Sequence, residues 1–67
     1  MRVLSTSTGE LDVALSRDEL TMINNALNEV CNGVDIMDFE FQTRLGWDRS
    51  ELRSLLDQVY AALGSSN

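Results

Sequence analysis

The sequence predicts an α+β fold, mostly helical, in which an N-terminal β-hairpin is followed by three helices. Three observations carry that expectation. Residues 2–15 alternate with a period of two about a glycine. Two later stretches carry apolar residues at three- and four-residue steps. Gly9, Gly33, Gly46 and Gly64 each stand where one of these patterns stops.

The hairpin is expected over residues 2–15. Val3, Thr6 and Thr8 lead to Gly9, and the turn falls around Ser7-Thr8-Gly9. In the second strand Leu11, Val13 and Leu15 point one way, and Asp12 and Ala14 the other. A lone hairpin is marginal in water, so it must pack on helices or pair with further strands.

The first helix is expected over residues 17–32. Ser16 with Glu19 three residues on forms a capping box, and Asp18 and Glu19 suit the positive end of the helix dipole. Leu20, Ile23, Leu27, Val30 and Val34 make one apolar face, flanked by Ala26 and Cys31, and Gly33 reads as the left-handed stop. Asp38 reads as the N-cap of a short helix over 39–45 ending at Gly46. Phe39-Glu40-Phe41 also alternates like a strand, and length and the glycine stop favour helix. Asp48 with Glu51 opens the third helix, over 49–63. Its stripe is Leu52, Leu55, Leu56, Val59 and Leu63, joined by Tyr60. Residues 1–63 thus form one small domain, and 64–67 a frayed tail.

Composition narrows the function. The chain has 67 residues, and a domain of this size buries only about 60% of the surface its unfolded form exposes. A single cysteine excludes an internal disulfide, and the absence of histidine and of a second thiol argues against a metal. A tightly packed core or self-association remains as the source of stability, so a homodimer is one expectation. Five arginines, no lysine and eleven carboxylates give a net charge of -6. That charge repels phosphate backbones and anionic lipid and favours a basic partner. No apolar stretch approaches the roughly 20 residues that span a bilayer, and the N-terminus lacks a signal-like apolar run. The expected location is the cytoplasm.

No catalytic residue, cofactor site or metal ligand set is expected. Cys31 has no histidine to activate it and reads as a small core hydrophobe. The glycines form no phosphate loop, Asp35 and Asp38 read as a solvated loop, and the calcium-loop spacing is not met.

Residues 41–56 carry a helix-turn-helix-like pattern. Phe41 and Leu45 supply the first helix face, Gly46 the turn, Trp47 a plug for the corner, and Leu52 and Leu55 the second helix. The run resembles the helix-turn-helix of bacterial regulators, except that Gln42 replaces the usual small residue. On that alternative Arg49, Ser50, Arg53 and Ser54 would face DNA. Asp48, Glu51 and Asp57 beside them, and the acidic chain, argue against nucleic acid.

The first helix has a second, polar stripe. Thr21, Asn25, Asn28 and Asn32 recur at steps of four, three and four, with Asn24 beside them. Asparagine weakens a helix by roughly 0.5 kcal/mol relative to alanine, so this choice needs a reason. Uncharged amides suit a protein contact, and equally a tie to a neighbouring loop or to the hairpin. Trp47 has the same two readings, interface anchor or core.

The string Asn24-Asn25-Ala26-Leu27-Asn28-Glu29-Val30-Cys31-Asn32-Gly33, followed by Phe39-Glu40-Phe41-Gln42-Thr43-Arg44-Leu45-Gly46, resembles a pattern that recurs in short bacterial proteins. It spans roughly residues 16–63. The resemblance implies a bacterial cytosolic protein and transfers no activity and no site residues. The expected function is therefore a small acidic interaction module without catalysis, for example an immunity-type antagonist of a basic protein. The alternatives are a helix-turn-helix DNA-binding regulator and an accessory subunit of a larger complex.

Overall fold

In a computed structural model, which describes residues 1–33 and 37–65, the chain folds as a two-stranded antiparallel hairpin followed by three helices. Strand β1 (Arg2–Ser7) pairs with β2 (Glu10–Ala14) through a two-residue turn in which Gly9 takes φ +92°. That backbone conformation is open to glycine at little cost. The register places Val3 opposite Val13 and Thr6 opposite Leu11 on one face, and Ser5 opposite Asp12 and Ser7 opposite Glu10 on the other. A bulge between Val3 and Ser5 makes this possible. Unbroken alternation would have put Val3 on the same side as Ser5, and the extra residue moves it to the apolar side.

Helix α1 (Arg17–Asn28) opens on the capping box read from the sequence. Ser16 Oγ accepts from the Glu19 amide at 3.0 Å, and Glu19 Oε1 accepts from the Ser16 amide at 2.9 Å. The helix does not continue regularly to residue 32. A π-helical turn (Glu29–Gly33) follows it, and Gly33 does not adopt the left-handed stop expected of it. A π turn takes up an extra residue and re-aims those that follow. Cys31, on the flank of the apolar stripe by regular spacing, is thereby turned into the core.

Helix α2 (Asp38–Leu45) settles residues 39–45 as helix. Its N-cap is Met37, in extended conformation, and no side chain caps it; Asp38 is the first helical residue instead. Gly46 ends the helix at φ +80°, and its amide donates to the Gln42 carbonyl at 2.8 Å. Helix α3 (Arg49–Ser65) starts at Asp48, whose Oδ1 accepts from the Glu51 amide at 2.8 Å and from Ser50 Oγ at 2.7 Å. It runs past residue 63 and includes Gly64. Val34 and Asp35, assigned above to an apolar stripe and a loop, and the last two residues of the tail lie outside the described residues.

Helices α1 and α3 pack antiparallel. Arg17, at the start of α1, donates to the Leu63 carbonyl near the end of α3, while Arg49, at the start of α3, reaches the Cys31 carbonyl. Among the described residues the buried apolar side chains are Cys31, Phe41 and Leu56, one each from the π turn, α2 and α3. Leu20, Leu27, Val30, Leu52, Val59 and Leu63 are only half-buried, and Ile23, Leu55 and Tyr60, expected in the same stripes, are exposed. A two-helix layer covers one side of each helix, so residues at the stripe margins stay in water. The hairpin does not lie across that layer: the strands do not pack on the helices, and the Met1 ammonium just before β1 reaches the Glu19 carboxylate on α1. No described helix is long and apolar enough to cross a membrane.

Candidate interaction surface

Among the described residues a network of side-chain hydrogen bonds lies where the π turn, α2 and the start of α3 meet. The Cys31 carbonyl, at the negative end of the first helix, accepts from Arg49 Nη1 at 2.9 Å and from Arg53 Nη2 at 3.4 Å. Cationic donors at a helix C-terminus satisfy carbonyls that have no partner within the helix. Arg49 also donates through Nε to Asp38 Oδ1 at 3.3 Å, and its guanidinium stands 4.5 Å from the centroid of the Phe41 ring. Arg53 Nη2 donates to Asn32 Oδ1 at 2.9 Å, and Asn32 Nδ2 donates to Asn28 Oδ1 at 2.9 Å.

The two arginines assigned to DNA on the helix-turn-helix alternative are thus turned onto their own chain. Ser50 is engaged with Asp48, and Ser54 is exposed. An open cleft of about 550 Å³ lies between Asp38, Phe39 and Gln42 on α2 and Asp48, Arg49, Ser50 and Arg53 on α3. The Ser50 hydroxyl and the Glu51 amide hold the Asp48 carboxyl below the usual carboxylate range, which makes it a poor proton acceptor. Among the described residues no group of three or more acidic, cysteine or histidine side chains could hold a metal ion.

The asparagine stripe divides. Asn28 and Asn32 belong to the relay that ends on Arg53. Thr21 Oγ1 donates back to the Arg17 carbonyl at 2.9 Å. Asn24 is half-buried, and its Oδ1 is shielded from solvent without a hydrogen bond. Asn25 faces solvent. The structure brings the lower half of the stripe together with Arg53 and leaves the upper half apart.

Around α2 the burial is asymmetric. Phe41 is fully enclosed, at 0% exposure, whereas Phe39 is 71% exposed. On a helix two residues apart differ by about 200°, so Phe39 must face away when Phe41 faces in. Met37 is exposed before the helix. Trp47 follows the left-handed Gly46 and is 63% exposed, so it does not plug the corner. Leu45 is also exposed, so it does not supply the packed helix face expected of it. Sequence reasoning missed Met37 and Phe39 as surface residues. The signal was present, since Phe39 and Phe41 cannot share a helical face. Glu40 and Arg44 pair at 2.8 Å across one helical turn.

Comparison with protein-family models, with curated proteins and with solved structures found no match to this chain.

Proposed function

We propose that the protein is a non-catalytic, acidic interaction module of the bacterial cytoplasm that binds a basic protein through the outer side of α2. The observation that carries this reading is the exposure of Met37, Phe39 and Trp47 around a helix whose one buried aromatic is Phe41. Methionine and aromatic side chains are the usual anchors of protein interfaces. The net charge of -6 favours a cationic partner and speeds encounter with it. A histidine-free sequence with one cysteine, itself buried, supports a role without catalysis. Within this class, an immunity-type antagonist of a basic protein is the concrete role. The engagement of Arg49 and Arg53 by the Cys31 carbonyl weighs against DNA reading as their use.

The test is affinity capture from native lysate, with nuclease and without, using the parent chain and a Phe39→Ala, Trp47→Ala variant. A stoichiometric basic protein that survives nuclease and is lost with the variant is the expected result. Since both side chains are exposed, the variant should keep its stability to within about 0.5 kcal/mol per site. Recovery of nucleic acid alone would overturn the reading.

A further inference from the structure

The hairpin is built as an amphipathic layer, and among the described residues no helix packs on its apolar side. Val3, Leu11 and Val13 lie on one face at 52%, 63% and 39% exposure, and the hairpin is tied to α1 at its end, through the Met1 ammonium and Glu19, without a helix packed on this face. The opposite face is made for water: Ser5 Oγ donates to Asp12 Oδ2 at 2.6 Å, with Ser7 and Glu10 alongside. A bulge turns Val3 onto the apolar face. A hairpin meant to stand in solvent needs no such sorting.

We infer that this face is covered by a second copy of the chain in a two-fold dimer. The whole molecule is short of cover, and the hairpin face shares that deficit with the exposed Met37, Phe39 and Trp47 around α2. It exposes 5276 Å², against about 4,250 Å² for a typical monomer of its mass, an excess of roughly 1,000 Å². A standard interface buries about 800 Å² per partner. The radius of gyration, 13.5 Å, exceeds the ~11 Å of a compact chain of this length. Association is one common way for chains this small to complete their cores, and a two-fold axis sets the same patch against itself.

The geometry also selects the mode. The β1 edge carries the bulge, and the β2 strand carries Glu10 and Asp12, whose carboxylates would be drawn together by pairing with a second β2. Both devices oppose edge-to-edge addition. The face of Val3, Thr6, Leu11 and Val13 has no charge, so two chains of net charge -6 meet there with least repulsion. Salt, by screening what repulsion remains, strengthens the dimer. This is the opposite of its effect on a basic partner bound at α2, so the two contacts are separable.

Sedimentation equilibrium of the whole protein through a dilution series, at low and high salt, tests the inference. The expected result is twice the 7.5 kDa chain mass, with dissociation on dilution that salt suppresses. Leu11→Asp should weaken association by about a hundredfold or more, since each copy loses an apolar contact and gains a charge. Asp12→Asn, on the polar face, should leave it intact or tighten it. Hydrogen exchange of the parent chain gives a readout that needs no variant: protection in residues 10–14 should rise with protein concentration. A monomer mass at every concentration, concentration-independent exchange there, or a dimer untouched by Leu11→Asp would overturn the inference.

Discussion

The two ends of the α1–α3 pair solve the same problem differently. At one end Phe41, Cys31 and Leu56 are buried, and Arg49 and Arg53 satisfy the carbonyl that the π turn presents. At the other end the hairpin leaves the layer and shows its apolar face to solvent. The closed end has a third helix to lay over the pair. The open end has only two short strands, too little surface to form a second core. The contrast teaches where a chain of this size places its stability: in one junction, with the remaining apolar surface left for contacts between molecules.

Truncating the closed end should break the contrast most. Phe41→Ala removes the largest buried side chain and should cost about 3–5 kcal/mol, measured by urea unfolding. Leu11→Ala in the hairpin, studied at dilution where the chain is monomeric, should stay within about 0.5 kcal/mol. Similar costs at both sites would mean that the hairpin is packed in solution and the comparison is wrong.

Arg49→Ala comes next. It deletes the bonds to Cys31 and Asp38 and the contact with Phe41, and should cost about 2 kcal/mol. Arg49→Lys keeps the charge but not the planar fork, so it should recover only part of that loss. Full recovery by lysine would show that charge at the helix end, and not bidentate geometry, closes the junction.

A gain is expected at Asn24. Its Oδ1 is shielded and unpaired, and asparagine is a poor helix former, so Asn24→Ala should stabilise the monomer by about 1 kcal/mol in thermal or urea unfolding. A loss would reveal a hydrogen bond made by Asn24 in solution.

The smallest effect is acid sensitivity at the helix starts. The Met1 ammonium, then the Ser16 amide, hold Glu19 below the usual carboxylate range, and Ser50 and then the Glu51 amide do the same for Asp48. A depressed folded value means that the unfolded state takes up protons first. The stabilisation is therefore present above the ordinary carboxylate range and disappears as pH falls through the depressed folded values. Helical circular dichroism during acidification should show fraying of α1 and α3 in that window. Ser16→Ala and Asp48→Ala should shrink the pH-dependent part, and an unchanged acid response in both would remove the caps as its source.

Much of this architecture was legible in the amino-acid order because it depends on neighbours along the chain. Alternation around Gly9 marked the strands and the faces of β2, though not the bulge that re-sides Val3; Ser16 with Glu19 marked the start of α1, Asp48 with Glu51 that of α3, and Gly46 the left-handed stop. These features act over a few residues, where sterics and hydrogen-bond reach are set by the local sequence.

Tertiary structure decided the rest. Helical periodicity named candidate core residues but could not say which would find cover, and so Phe41 and Leu56 are buried while Leu55, Tyr60 and Trp47 are not. Arginine spacing suggested a surface reading face, yet Arg49 and Arg53 fold back onto their own chain because a carbonyl 18 and 22 residues earlier lies within reach. That carbonyl is available through a π turn that replaces the expected glycine stop. Burial and long-range hydrogen bonding depend on what another part of the chain brings into contact, and a pattern read along one segment contains no information about its neighbour in space.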